Sequence, residues 1–243
     1  MKPEHANNFD ILYERYLQPL GAIHAGFFYK NLTEPIVALL SGPKPGVPAC
    51  PGSSCFVNQA ENGGSAYIAG LELSFQQHFS YLPGALSGLG LFANYSYATS
   101  QATNVNPAAN RTDKPALLRQ APNTFNISPT YDRGRLSLRV GMAYNGANIF
   151  SYFFVPFQSD GTPTPGGVKG PNGDVYLFSH FQVDAQGSVY LGKGEGKGLT
   201  LIVSALNLNN EVFGFYMGSP QFFIQREYYR PTFTFGLRWD LGR

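Results

Sequence analysis

The last stretch of the chain, residues 228–241, alternates apolar and polar positions. Successive side chains of a β-strand point to opposite faces, so this alternation predicts a strand with one apolar and one polar face. The stretch is longer than the five or six residues of an ordinary strand, and it is rich in aromatics. This favours a transmembrane strand with its apolar side toward lipid and its polar side toward a lumen. The apolar series is Tyr229, Pro231, Phe233, Phe235, Leu237, Trp239 and Leu241.

Eight earlier segments show the same period of two. They are residues 8–17, 22–31, 66–79, 89–100, 121–132, 135–146, 175–191 and 198–208. The connections alternate between short turns and long segments, and the long ones are 32–65, 101–120, 147–174 and 209–227. Outer-membrane barrels have this asymmetry, whereas a soluble sandwich has no reason to keep its long loops at one end. The pattern predicts an all-β fold, an antiparallel meander of about nine long strands.

The strand count indicates an incomplete barrel. In a meander of nine strands the first and last run in the same direction, whereas bacterial single-chain barrels have even numbers of strands. An open sheet in lipid would leave backbone groups unpaired, each at a cost of several kcal/mol. The N-terminal sequence MKPEHANNFD also lacks the apolar stretch of a signal peptide. We therefore expect the chain to be a piece of a longer protein, with Met1 either an internal methionine or the start of a truncated reading frame.

Composition supports a membrane β-protein. Charged residues make up 13% of the chain and aromatic residues 15%, with 28 glycines and 18 prolines. No apolar run approaches the roughly 20 residues that a membrane helix needs. The net charge of +2 is too small to indicate nucleic acid or an acidic partner.

The two cysteines, Cys50 and Cys55, lie in the sequence ACPGSSC. In an oxidising compartment such a closely spaced pair can form a small disulfide loop. A reduced pair without a role is the alternative. Zinc binding would need further ligands, and the neighbouring sequence supplies none.

Catalytic chemistry finds little support in the sequence. The four histidines, His5, His24, His78 and His180, are scattered and show no metal-binding spacing. Ser74 and Glu72 lie near His78, but alternation places such residues on one face by chance. The sequence GKGEGKG lacks the spacing of a phosphate-binding loop. We expect neither an enzyme nor a bound cofactor or metal.

Four short motifs resemble those of one known family. The segment KPE followed by NFD near the N-terminus is similar to "L-K-P-E … N-Y-E-L-G", and NLNNE at 207–211 is similar to "N-L-T-N/D-E". From Ala121, APN followed by TFNISPTYDRGRLSLRVGMAYN resembles the hairpin "L-P … N … Y-E … G … R". The closing segment, QREYYR followed by FGLRW, resembles "Q-x-E-x-Y-G-R … G-L-R". In this order and spacing the motifs resemble the barrel of TonB-dependent outer-membrane receptors.

The resemblance implies a 22-stranded barrel whose lumen holds a plug domain. Residues 1–243 would then be the C-terminal portion, containing the last nine strands and lacking the plug and the first strands. Such a receptor lies in the bacterial outer membrane and imports a scarce nutrient with energy delivered by TonB. The implied partners are outer-membrane lipid, the plug, TonB and the barrel-assembly machinery, and no nucleic acid. A passive porin and a soluble β-sandwich or lectin-like binding module are the alternatives.

The resemblance also suggests roles for individual residues. Five polar residues on the alternating strands are expected to contact the plug or lumen water: Glu72, Gln76, Arg139, Asp184 and Arg238. Aromatic residues of the third and fourth long segments either grip a ligand or belong to the aromatic girdle at the membrane surface. They are Tyr152, Phe153, Phe154, Phe157, Phe213, Phe215, Tyr216, Phe222 and Phe223.

The C-terminal strand resembles the signal that the barrel-assembly machinery reads. Thr234, Gly236, Trp239 and Leu241 keep its general shape. Leu241 replaces the usual final aromatic residue and two further residues follow it, so we expect less efficient assembly. Pro231 removes one donor from the strand ladder, which predicts imperfect pairing at that point.

Overall fold

The computed structural model describes residues 1–44, 55–103, 113–152, 173–192 and 198–240. Within these ranges the chain forms fifteen strands and one short 3₁₀ helix, Gly84–Gly88. The strands are β1 (His5–Leu17), β2 (Leu20–Thr33), β3 (Ile36–Lys44), β4 (Cys55–Asn62), β5 (Ser65–His78), β6 (Leu89–Ala102), β7 (Asn123–Arg133), β8 (Leu136–Asn145), β9 (Asn148–Ser151), β10 (Val175–Leu177), β11 (His180–Tyr190), β12 (Gly198–Leu206), β13 (Val212–Met217), β14 (Phe223–Tyr228) and β15 (Thr232–Asp240). In the described part of the chain, no helix is long and apolar enough to cross a membrane.

Nine of the strands form one open antiparallel sheet in the order β1-β2-β5-β6-β7-β8-β11-β12-β15. Each of the nine predicted segments contains one strand of this sheet, so the predicted meander is confirmed. Residues 18–19, 79–88, 134–135 and 191–197 make the short connections, and the other four connections are long. All the long connections therefore lie at the same end of the sheet, which we call the long-loop end; the opposite end is the short-turn end.

The register gives this sheet one apolar and one polar face. On the apolar face Phe27 lies opposite Leu71, and at the other edge Val203 lies opposite Phe235. On the polar face Glu72 lies opposite Ser96, which lies opposite Thr124. The alternation read from the sequence thus continues from strand to strand, because directly paired residues share a face.

The apolar face is exposed. Phe235 is 77% exposed and Trp239 is 74% exposed. A soluble sandwich would cover such a face with a second sheet, but the described residues bury few apolar side chains. They are Ala66, Ala102, Ile149, Ala205 and Tyr216. The geometry is that of a membrane wall, and the soluble-sandwich alternative loses its support.

Two of the predicted strands are interrupted. The segment 175–191 divides into β10 and β11, and the segment 228–241 divides between the end of β14 and the start of β15. The second break contains Pro231, which cannot donate to the ladder. The prediction of continuous strands was wrong at these two places, while the prediction of imperfect pairing at Pro231 is confirmed.

Three of the four predicted long loops contain strands. The first holds the hairpin β3–β4, and the third and fourth contribute to a four-stranded sheet in the order β14-β13-β10-β9. In chain order β9 follows β8, β10 precedes β11, β13 follows β12 and β14 precedes β15. Each strand of this smaller sheet therefore continues one of the strands β8, β11, β12 and β15 of the large sheet beyond an interruption. We call the smaller sheet the extension sheet.

Close packing on the polar face explains why residue 70 is a glycine. A Cβ added to Gly70 would lie 2.2 Å from the Tyr97 carbonyl oxygen and 2.5 Å from the Cζ of Phe28. By contrast, a Cβ added to Gly141 meets no atom within 4 Å. We expect Gly70→Ala to lower the free energy of unfolding by about 2 kcal/mol through overpacking, and Gly141→Ala to change it by less than about 0.5 kcal/mol. Chemical unfolding in phospholipid vesicles measures both, and equal effects would contradict the packing.

Candidate functional site

The junction between the nine-stranded sheet and the extension sheet is built around Asn207. Its backbone N–H donates to Asp184 Oδ1 at 2.8 Å, and its side-chain oxygen accepts the Glu211 N–H at 2.7 Å. Its side-chain amide donates to the carbonyls of Tyr229 and Glu211. Asn207 is 7% exposed and adopts a left-handed conformation with φ of 55°, which asparagine tolerates better than most residues. One side chain thus ties the end of β12 to the break before β15.

The rest of the segment 207–211 binds the edge of β11. The Val183 N–H donates to Asn209 Oδ1 at 3.0 Å, and the Asn209 amide donates to the Phe181 carbonyl at 2.5 Å. The Phe181 N–H donates to Glu211 Oε1 at 3.1 Å. Together with the backbone hydrogen bond from the Leu208 N–H to the Val183 carbonyl at 2.7 Å, these side chains continue the pairing where β12 has ended, so the groups of β11 remain paired. The NLNNE motif has a structural role, which its resemblance alone did not indicate.

Asp184 and His180 also take part in this junction. Asp184 accepts a hydrogen bond from the Gln182 side chain at 2.9 Å in addition to the Asn207 N–H. His180 Nδ1 lies 3.7 Å from Glu211 Oε1. His180 begins β11 at the long-loop end, whereas His78 ends β5 at the short-turn end. The two histidines share the polar face but not a site, and the described residues contain no group of three or more His, Cys, Asp or Glu that could hold a metal.

Aromatic rings cover one face of the extension sheet. Tyr176 stacks on Tyr216 with ring centroids 5.1 Å apart, and Phe178 lies 4.6 Å from Tyr216. The Arg226 guanidinium lies 3.8 Å from the centre of the Phe178 ring, which is a cation–π contact. Burial, and to a lesser extent the neighbouring Tyr176, raises the pKa of Tyr216.

A second aromatic group lies on the opposite face of the extension sheet. Phe215 contacts Phe150 at 4.8 Å and Phe213 at 5.2 Å between ring centroids. The Arg119 guanidinium lies 4.7 Å from the Phe150 ring. Phe213 also approaches His180 at 6.3 Å, which connects this group to the polar face of the larger sheet. These rings pack on one another and hold together strands that are distant in sequence.

The structure groups some of the aromatics predicted from the sequence and separates others. Phe213, Phe215 and Tyr216 belong to the two groups, whereas Phe222 and Phe223 are exposed. Tyr152 donates its hydroxyl to the Ala116 carbonyl at 2.7 Å. Phe153, Phe154 and Phe157 lie outside the described residues. Sequence reasoning missed Phe150, Tyr176, Phe178 and both arginines, because only long-range strand pairing brings them together.

A cleft of about 470 Å³ lies beside the extension sheet. It is formed by the end of β6, the segment 113–122, the start of β9 and the residues around Tyr176. Its buried polar residues are Ser100, Asn148 and Asp174. Ser100 donates its hydroxyl to Gln120 Oε1 at 2.6 Å, and the Gln120 amide donates to the Ala98 carbonyl at 2.9 Å. The cleft is therefore a mostly apolar recess at the long-loop end, with a few polar groups that are bonded to one another and to the backbone.

The five predicted polar residues share the polar face but form no single site. Glu72 lies opposite Ser96, Gln76 opposite Phe92, and Arg139 opposite Gln186. Arg238 lies opposite Thr200 near the short-turn end, whereas Asp184 contributes to the junction at the long-loop end. Whether they face a plug or lumen water stays a prediction.

The remaining predicted residues are partly described. Thr234 lies opposite Ser204 and Gly236 opposite Ile202, while Trp239 lies opposite Leu199 on the apolar face. Leu241 lies outside the described residues, so the assembly signal stays a prediction. Cys50 and the side chain of Cys55 also lie outside them, and the disulfide stays a prediction.

Comparison with known proteins identifies the family. The family model "TonB dependent receptor-like, beta-barrel" matches residues 1–210. A search of curated proteins finds no match. The chain belongs to the family of TonB-dependent receptor-like β-barrels, whose members lie in the outer membrane of Gram-negative bacteria, and its location is therefore this membrane.

Solved structures share the fold. The FrpB iron transporter from Neisseria meningitidis is 16% identical with a TM-score of 0.58, and the match covers 97% of this chain and 31% of that one. The ferripyoverdine receptor of Pseudomonas aeruginosa is 13% identical with a TM-score of 0.60, covering 99% and 28%. The ferric-catecholate import receptor Fiu of E. coli is 13% identical with a TM-score of 0.61, covering 97% and 28%. The chain therefore spans less than a third of the length of these receptors and transporters.

Proposed function

We propose that this chain is the C-terminal part of the wall of a TonB-dependent uptake receptor. The observation that carries the proposal is the family match over residues 1–210 on an open nine-stranded sheet with one apolar and one polar face. The sheet forms the last nine strands of a 22-stranded barrel that also contains a plug. Its role is transport and reception of a nutrient, with no catalysis by its own residues.

The two faces have different tasks in this proposal. The apolar face contacts outer-membrane lipid. On the polar face Glu72, Gln76, Arg139 and Arg238 contact the plug and lumen water. The extension sheet lies at the long-loop end, which is the outer side of the membrane in such barrels. It presents a preorganised rim, because its strands are held by aromatic contacts and by the junction around Asn207.

The descriptions of the structural neighbours indicate which class of substrate to test first. Those neighbours are described as an iron transporter, a ferripyoverdine receptor and a ferric-catecholate import receptor. We infer that a metal ion carried by an organic chelator is the first class of substrate to test. The cleft of about 470 Å³ at the long-loop end, with its mostly apolar lining, offers space for part of the organic chelator.

An uptake experiment tests the function. The gene is deleted in the source organism and restored, and cells are supplied with radiolabelled ferric siderophores and copper complexes. We expect uptake of one substrate that disappears on deletion, on loss of TonB and on addition of a protonophore. A small sugar that enters through general porins serves as the control and is unaffected. Uptake that continues without TonB would contradict the proposal and favour a passive porin.

A further inference from the structure

A second cleft, of about 420 Å³, lies at the short-turn end of the large sheet. It is bounded by the turn 133–135 between β7 and β8, the end of β11, the start of β12 and the end of β15. Thr200 lies opposite Arg238, and Ser188 lies opposite Ser137. These residues belong to the polar face, so the cleft opens on the opposite side from the apolar surface.

The lining of this cleft is basic. Its described residues include Arg133, Arg135 and Arg238 and, among these described residues, a single carboxylate, Asp132. Asp132 already accepts a hydrogen bond from the Ser137 hydroxyl at 2.5 Å. Among the described residues, Arg133 and Arg135 form no ion pair. The cleft therefore has an excess of positive charge.

The partner of Arg238 is exposed and leaves much of the guanidinium available. Arg238 Nε lies 3.4 Å from Asp240 Oδ2, and the two side chains are 64% and 41% exposed. An exposed pair of this kind contributes little and is readily exchanged. The guanidinium has five N–H donors, so it can hold Asp240 and a second anion together.

The Thr200 hydroxyl is an independent indication of a ligand. Thr200 is 5% exposed and lines the cleft. Its Oγ1 is buried and has no hydrogen-bond partner among the described residues. Buried polar groups are nearly always hydrogen-bonded, so an isolated one calls for a specific explanation. A hydroxyl between two basic strand ends is a suitable donor to an oxyanion.

We propose that this cleft binds an oxyanion, a carboxylate or a phosphate group, through Arg135, Arg238 and the Thr200 hydroxyl. Guanidinium groups match the planar geometry of such anions and form charge-assisted hydrogen bonds with them. The anion has two potential sources: a free anion entering from the short-turn side, or an acidic side chain elsewhere in the full-length receptor. The proposal rests on the cleft alone and does not require transport.

A titration of the purified full-length protein in detergent tests the proposal. Inorganic phosphate is titrated calorimetrically at constant ionic strength into the wild type, Thr200→Val and Arg238→Gln. The control is Lys30→Gln, since Lys30 is a basic residue on the same face outside this cleft. We expect saturable binding that each cleft variant weakens about tenfold, the typical effect of losing one hydrogen bond to a charged group. The control should bind like the wild type.

Thermal unfolding of the same variants distinguishes the two sources. If the receptor's own carboxylate fills the cleft, phosphate will not bind the wild type. In that case Thr200→Val and Arg238→Gln will lower the unfolding temperature, while Lys30→Gln will not. If the cleft has no anion, Thr200→Val removes an unpaired buried hydroxyl and leaves the protein as stable or more stable. That result without phosphate binding would overturn the proposal, as would phosphate binding that both cleft variants leave unchanged.

Discussion

Asn207→Ala is expected to lower the free energy of unfolding by about 4 kcal/mol. The substitution leaves the Glu211 N–H and the Tyr229 carbonyl without their partner, and each such loss costs about 1–3 kcal/mol in a buried setting. Alanine must also adopt the left-handed conformation of Asn207, which costs about 1–2 kcal/mol. Together these effects should loosen the break that β12 shares with β15.

Two further variants separate the causes. Asn207→Gly accepts the positive φ but lacks the amide, so its deficit should be about 1 kcal/mol smaller than that of alanine. Asn94→Ala removes a half-buried asparagine whose side chain hydrogen-bonds only to the exposed Asn126 among the described residues, at 3.0 Å, and should cost less than about 1 kcal/mol. Guanidinium unfolding of the full-length protein in phospholipid vesicles, followed by circular dichroism, measures all three. If Asn207→Ala and Asn94→Ala lower the free energy of unfolding equally, the junction contributes no more to stability than an ordinary side-chain hydrogen bond.

Phe235→Arg is expected to cost about 3 kcal/mol in a bilayer. Phe235 lies on the apolar face and is 77% exposed, and an arginine near the bilayer midplane of a barrel costs about 2–4 kcal/mol. The same change should reduce the amount of protein in the outer membrane. Unfolding in vesicles gives the free energy, and fractionation of cells gives the amount.

Thr234→Arg is the matched control for this substitution. Thr234 is the preceding residue of β15, so it has nearly the same depth in the membrane but points to the polar face opposite Ser204. We expect a change of less than about 1 kcal/mol, as for most exposed substitutions. If both arginine substitutions lower the free energy of unfolding in vesicles by the same amount, the apolar face does not contact lipid and the membrane assignment fails.

The junction explains why this membrane sheet has a polar motif between two of its strands. When strand pairing is interrupted, backbone N–H and carbonyl groups lose their partners, and near a membrane each unpaired group is costly. Asn207, Asn209 and Glu211 supply those partners from their side chains. The break can therefore redirect four strands into the extension sheet without leaving the start of β11 unpaired.

The motif that resembled the family could be recognised from the sequence, but its role could not. The sequence NLNNE predicts a polar loop, and it does not show that the Asn207 side chain hydrogen-bonds to the backbone carbonyl of Tyr229. The same limit applies to Asp184. Alternation placed it correctly on the polar face, but its carboxylate is engaged by the Asn207 N–H, and this depends on how β11 and β12 are aligned.

The sequence by itself determined the nine strands, their two faces and the end at which the long connections lie. These properties are local, because the period of two and the turn residues act within a few positions. Tertiary structure alone decided the strand break in the segment 175–191, the extension sheet and the basic cleft around Thr200. Each depends on pairing between distant residues, such as Tyr176 with Tyr216 or Thr200 with Arg238. Such pairing is set by register and by the satisfaction of backbone hydrogen bonds across the whole sheet, which no single segment encodes.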